Sequence, residues 1–222
     1  MLVQEIPRSY LFGDAPSGST SDPIVSTPAL VSAQAYLAVG NIEEACSVLS
    51  DILGRSNEMS LVVLQAWRLM REMDRSPSIE WKDVVLGVVA EVGIDGGVDS
   101  LGVYPDQSVY YHNHAGSKIV WENGDGSLES QIRKVLEAAI AIVPQVGIWN
   151  DQRLPAPSEG RMRLSILTPV GIHFGEGPLE ALEQDLVARP LVRAATTLMV
   201  DLVELAKGEP PNPGEVGLGN TE

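Results

Sequence analysis

The chain has 222 residues, of which 44% are hydrophobic and 5% aromatic, so it is long enough to bury an aliphatic core without metals or disulfides. Thirty acidic residues against fifteen basic ones give a net charge of −15, which disfavours nucleic acid and anionic membranes as partners. The single cysteine excludes an intramolecular disulfide, and the absence of a secretory signal and of a run of ~20 apolar residues predicts a cytoplasmic location.

The first part of the chain divides into an arm and a helical region. Residues 1–27 are rich in Ser, Pro, Gly and Asp without a sustained period, which predicts an extended arm. Apolar residues then recur at helical spacing from Pro28, in a second segment of about Ile42 to Leu53, and in a third of about Met59 to Met73. Residues 28–76 are therefore predicted to be helical.

The first two of these helices resemble one unit of a tetratricopeptide repeat. The resemblance covers about thirty residues. It is carried by Ala35-Tyr36 on the first helix, Gly40 at the turn, and Glu44-Ala45 with Leu49 on the second helix. A repeat unit of this kind implies a groove that binds peptides, and a simple αα-hairpin is the alternative interpretation.

Residues 77–208 are predicted to form an α+β domain. The β-branched run within residues 81–94 is ambiguous between a buried strand and a buried helix, and we expect a short helix that leads into the first strand near Val98. Three strands joined by tight turns are predicted between Val98 and Glu122 from apolar residues in alternation. These residues are Leu101, Val103, Val109, Tyr111, Ile119 and Trp121.

The remaining elements are predicted from the same two patterns, helical spacing and alternation of apolar residues. A helix is predicted from Leu128 to about Pro144, and a strand with one solvated polar face from Arg161 to Thr168. A short strand from Ile172 to Gly175 and two helices complete the domain, and residues 209–222 are predicted to be a disordered acidic tail.

The element order predicts the fold class. Helices are followed by β-β-β-α-β-β-α with hairpin connections, which indicates a roughly five-stranded antiparallel sheet packed by helices. This order resembles the profilin-like and roadblock-like sheets, and the resemblance implies a role in sensing or docking.

Histidines form the first candidate site. His112 and His114 lie two residues apart on a predicted strand and would project to one face, and His173 lies on another predicted strand. Three such side chains around one point would suit zinc, so the three histidines are a candidate metal site. Histidines at a turn or on the surface are the competing interpretation.

A second candidate site surrounds the proline-containing loop. Trp149, Arg153, Arg161 and Arg163 cluster there and could contact an acidic peptide or another carboxylate ligand. The alternative is that these arginines are solvated strand residues paired with the excess of Asp and Glu.

No phosphate-binding loop, nucleophile elbow, zinc-protease motif or paired-cysteine motif occurs in the chain. The leading hypothesis is therefore a non-enzymatic intracellular adaptor or regulatory protein that binds another protein and needs no cofactor. Its predicted surfaces are the sheet and the N-terminal helical hairpin. The alternative is an enzyme that uses His112, His114 and His173 with a metal or a small molecule, or a ligand-sensing domain with an apolar pocket between the sheet and the helix that begins at Leu128.

Overall fold

The computed structural model describes residues 27–122, 126–151 and 154–208. The predicted α+β fold is confirmed, because these residues form helices packed on an antiparallel sheet, although the sheet has seven strands rather than five. The helices are α1 Pro28–Ala38, α2 Ile42–Leu53, α3 Ser60–Glu72, α4 Glu129–Ile142, α5 Leu179–Gln184 and α6 Arg189–Ala206. The strands are β1 Gly87–Ile94, β2 Gly97–Val103, β3 Val109–His112, β4 Lys118–Trp121, β5 Ile148–Trp149, β6 Arg161–Thr168 and β7 Gly171–Pro178. No helix in these ranges is both long and apolar enough to cross a membrane.

Two predictions about the chain ends fall outside the ranges that the structure describes. They are the extended arm, of which only Thr27 is described, and the acidic tail at residues 209–222. Thr27 caps the N-terminus of α1, because its side-chain Oγ1 accepts a hydrogen bond from the Leu30 N–H at 3.3 Å.

The strand order of the sheet is β4-β3-β2-β1-β6-β7-β5, with every neighbouring pair antiparallel. The prediction of a helix within residues 81–94 is wrong, because residues 87–94 form β1 at the centre of the sheet. β1 lies between β2 and β6 and is covered on both faces, so apart from Glu91 its side chains are apolar on both sides, and it lacks the alternation of a half-buried strand.

One face of the sheet packs against α4 and α6 and forms the largest core cluster. The alternating residues predicted for β2, β3 and β4 all belong to this cluster, so the predicted strands and their inward faces are confirmed. α4 contributes Ile132, Val135 and Ala139, and α6 contributes Leu198 and Leu202. We call this side of the sheet the helix face.

The opposite side of the sheet has two different covers, and we call it the mixed face. At one end α3 packs its Leu61, Leu64 and Trp67 on the sheet. At the other end lies the loop that precedes β6, and a Cβ atom on Gly93 of β1 would clash with the Ser158 carbonyl oxygen. The loop backbone therefore lies directly on β1, where only glycine leaves room for it.

The three N-terminal helices pack on one another around Leu30, Leu49 and Leu69. Gly40 joins α1 to α2 with φ of 75°, the left-handed conformation that its place in the turn predicts. A polar contact ties α3 to the sheet, because the Asp106 carboxylate in the β2–β3 turn accepts a hydrogen bond from the Ser60 N–H at 2.7 Å. The helical region and the sheet thus share a packed interface.

Candidate functional site

A row of polar residues crosses the mixed face of the sheet. Consecutive cross-strand partners in this row are His112, Ser100, Glu91, Arg163 and Glu176, from β3 to β7. The first four are buried, although polar residues of a half-buried sheet normally face solvent. The expectation that β6 has a solvated polar face is therefore wrong, because the loop that precedes β6 covers this end of the sheet.

Arg163 lies between Glu91 and Glu176 in this row and is 2% exposed. Its Nη1 donates to Glu91 Oε2 at 3.3 Å, and its Nε and Nη2 donate to Glu176 Oε2 at 3.0 and 2.8 Å. The guanidinium also donates to the carbonyl oxygens of Leu154, at 3.2 Å, and of Pro155. One buried side chain thus joins three strands and holds the loop on the sheet.

Glu176 occupies the position that a ligand carboxylate would take in the predicted acidic-peptide site. Its other oxygen accepts a hydrogen bond from Arg161 Nε at 3.0 Å, so it bridges the two arginines. Burial alone would raise the pKa of Glu176, but the hydrogen bonds from Arg163 and Arg161 outweigh burial and lower it. The two arginines are therefore neutralised by Glu176 and Glu91 within the chain.

The structure brings three of the four predicted peptide-contact residues to the same end of the sheet. Trp149 packs on Phe174 with ring centroids 4.7 Å apart, and the Arg163 guanidinium carbon lies 5.5 Å from the centroid of the same ring. Arg161 lies next to Arg163 through their shared contact with Glu176. Arg153 lies outside the described residues.

The three histidines are not brought together. β3 ends at His112, so His114 lies in the following turn, where its Nδ1 is 3.1 Å from Asp99 Oδ1. His112 and His173 point to opposite faces, on strands separated by three others, which is about 19 Å at ordinary strand spacing. Among the described residues no group of three or more His, Cys, Asp or Glu side chains is arranged to hold a metal ion.

His114 and His173 instead make separate local contacts. His114 is 42% exposed and shares Asp99 with the Tyr111 hydroxyl, which donates to Asp99 Oδ2 at 2.5 Å. Burial alone would raise the pKa of Asp99, but the hydrogen bonds from Tyr111 and His114 lower it. His173 donates from Nδ1 to the Val146 carbonyl oxygen at 2.6 Å, since a carbonyl can only accept. These contacts connect the β3–β4 turn to β2, and β7 to the segment that precedes β5.

The space between the sheet and α4 is filled by the apolar side chains of the helix-face cluster, where Ile132, Val135 and Ala139 are at most 2% exposed. A groove of about 460 Å³ lies on the outer side of this layer instead, between α4 and α6. Lys134 and Arg193 lie on its walls, and both are solvent-exposed. The ligand-sensing hypothesis, which needs an apolar pocket under α4, gains no support from this packing.

The outer face of α1 is the most unusual surface of the helical region. Val31, Ala35 and Val39 follow one another at i, i+4 and i+8, and Val31 and Val39 are 48% and 78% exposed. Ile42, which begins α2 after the turn, is 38% exposed, and Tyr36 of α1 is 37% exposed. Among the α-helices of the described residues, α1 alone contains no Asp, Glu, Lys or Arg.

The N-terminal helical hairpin was predicted from the sequence as a binding surface, but the outer face of α1 was not singled out, although its signal was present. The segment from Pro28 to Gly40 contains no charge in a chain in which 20% of the residues are charged. Its apolar residues cover the whole circumference of the helix, a pattern typical of a helix buried on all sides. Only Leu30 and Ala33 are buried within the chain, so much of that apolar surface faces outward.

The sequence was compared with models of known protein families, with curated proteins and with solved structures, and none of them matches this chain.

Proposed function

We propose that this chain is a non-enzymatic adaptor or regulatory protein, and that it binds a partner protein through the uncharged outer face of α1. The observation that carries the proposal is the exposed apolar stripe of Val31, Ala35 and Val39. Exposed apolar surface that is contiguous and free of charge is typical of protein-binding sites.

The chemistry of the stripe indicates what kind of partner would fit. A stripe of residues at i, i+4 and i+8 on a helix packs best against another helix with an apolar face. Charged residues on the partner would have to be desolvated against α1 without a counter-charge, which costs free energy. We therefore expect the apolar face of an amphipathic helix that belongs to another protein.

Site-specific photocrosslinking tests the proposal in the cells that produce the chain. A photoreactive residue at position 31 or 39 should give one adduct of defined mass with a partner protein. The matched position is Val200, an exposed valine on α6 with 49% exposure, where we expect no such adduct. Equal labelling from Val200, or no adduct from α1, would contradict the proposal.

Purified components give the quantitative form of the test. Val31→Ser combined with Val39→Ser should weaken binding of the crosslinked partner about tenfold or more, because two exposed apolar side chains leave the interface. Val200→Ser should leave the affinity unchanged, and both variants should unfold at the temperature of the parent chain. Unchanged binding by the double variant would refute the assignment of the surface.

A further inference from the structure

The sheet ends in two edge strands of unequal length. β5 has two residues, whereas β4 has four and pairs only with β3 among the strands that the structure describes. A strand with an open side presents unpaired N–H and C=O groups, to which another strand can bind. β4 is therefore the longer free edge of the described sheet.

The β3–β4 turn determines which backbone groups of β4 point outward. The Asn113 N–H donates to the Ser117 carbonyl oxygen at 2.9 Å, so this pair is of the hydrogen-bonded kind. Such pairs alternate along an antiparallel ladder, so every second residue of β4 bonds to β3 and the others point their N–H and C=O groups away from it. The outward-pointing residues are Lys118, Val120 and Glu122.

This edge is complementary to itself. A two-fold axis at Val120 places Val120 opposite the same residue of a second copy, so both outward N–H groups meet outward C=O groups. The same register places Lys118 opposite Glu122, once on each side of the axis. Ile119 of each copy then lies opposite Trp121 of the other copy, and these two pairs lie on the opposite face of the sheet. Each is an aliphatic–aromatic pair.

We propose that two copies of this chain associate through β4, antiparallel and centred on Val120, so that their two sheets become continuous. Hydrogen bonding allows only registers in which the outward-pointing residues of the two copies lie opposite each other. Among these registers, the Lys118–Glu122 pairs favour the one centred on Val120. In a single copy Lys118 protects the edge from unspecific strand pairing, and a second copy supplies the carboxylate opposite it. Each chain carries −15, so the association is weak and is measured at physiological ionic strength.

Amide hydrogen exchange of the full chain gives the most specific test. At high protein concentration the N–H groups of Lys118, Val120 and Glu122 should exchange about tenfold or more slowly than at low concentration. The N–H groups of Ile119 and Trp121 bond to β3 and should be protected at both concentrations. A chain that stays monomeric at its highest soluble concentration, or a dimer without this alternating pattern, would overturn the proposal.

Proline at the centre of the edge tests the hydrogen bonds. Val120→Pro removes the outward N–H and leaves the β3–β4 ladder intact, so it should weaken association about tenfold or more in sedimentation equilibrium. Val120→Thr is the matched control, because it retains the N–H and a β-branched side chain, and it should associate like the parent. Association that is unaffected by proline would place the interface elsewhere.

Charge exchange tests the register without relying on proline. Lys118→Glu should weaken association, because it places two carboxylates opposite each other on each side of the axis. Lys118→Glu combined with Glu122→Lys should restore association, since the opposed charges are again complementary. If the double variant associates no better than the single one while both remain folded, this register is wrong.

Discussion

The two faces of the sheet are held by different kinds of interaction. On the helix face, α4 and α6 bury a continuous aliphatic cluster, and burial of apolar area is favourable without requiring exact directions. On the mixed face, the Glu91–Arg163–Glu176 contacts join strands and loop through charged groups whose geometry is strict. Two adjacent residues of β6 represent the two faces, because Leu164 belongs to the helix-face cluster and Arg163 to the polar row. The difference predicts that the helix face loses stability in proportion to the apolar volume removed, whereas the mixed face depends on the single side chain of Arg163.

Arg163→Met should give the largest effect, a loss of about 3–5 kcal/mol in the free energy of unfolding, because it removes a charged group that is bound to the buried Glu91. The loop carbonyls of Leu154 and Pro155 also lose their donor. Urea denaturation measures the stability, and limited proteolysis within residues 154–160 should become faster.

A double-mutant cycle separates the pair from the loop. Combining Arg163→Met with Glu91→Leu removes both charges, and the double variant should be more stable than Arg163→Met alone, with a coupling free energy of about 0.5–3 kcal/mol. Additive effects of the two substitutions would mean that the charge pair is not the source of the sensitivity.

Leu164→Ala, the neighbouring substitution on the helix face, should cost about 2–5 kcal/mol through lost burial and the cavity that remains. Residues 154–160 should stay as resistant to proteolysis as in the parent, since their contacts lie on the other side of the sheet. Faster cleavage of residues 154–160 under conditions in which the variant and the parent are equally folded would show that the two faces are not independent.

Asp106→Ala should lower the free energy of unfolding less, and it acts at the end of the mixed face where α3 packs on the sheet. Its carboxylate accepts from the Ser60 N–H at the start of α3 and from the Ser108 hydroxyl at 2.6 Å, so its loss leaves a helix end uncapped. We expect a cost of about 0.5–2 kcal/mol, the usual value for a helix cap, measured by thermal unfolding. Asp106→Asn keeps an acceptor and should retain most of that stability.

Glu176→Gln should produce the smallest change, visible mainly in the pH dependence of stability. The pKa of Glu176 is lower in the folded chain than its usual 4.5, so its stabilising contribution is present above that pH and is lost as the pH falls through the folded pKa. The parent should therefore lose stability below about pH 4.5, and Glu176→Gln should lose less of it. Leu164→Ala should keep the parent's slope, because no titrating group changes on the helix face.

Local patterns predicted much of the fold, because they depend on few residues. The alternation of Leu101 and Val103 identified a half-buried strand, and the run that begins at Arg161 gave β6 with its observed bounds. β1 was missed because burial on both faces removes the alternation that identifies strands. β5 has only two residues and no period to detect.

The candidate site was harder to predict, because it depends on contacts between distant segments. The sequence predicts that Trp149, Arg161 and Arg163 lie near one loop, but it could not show that the Glu176 carboxylate bridges the two arginines. Nor could it show that His112 and His173 face opposite sides of the sheet, since that depends on the register of several strands.

The position of β1 has a consequence for the order in which the chain folds. The four strands from β1 to β4 form hairpins between neighbours in sequence, whereas Glu91 meets Arg163 across 72 residues. Closing so long a loop is slow, so the meander of β1 to β4 should form first. Until β6 pairs with it, the other edge of β1 stays without a neighbouring strand. During synthesis that side stays open until β6 has left the ribosome. We expect the interval to be the period when the nascent chain is most prone to aggregate, and substitutions that speed pairing of β6 should raise the yield of folded protein.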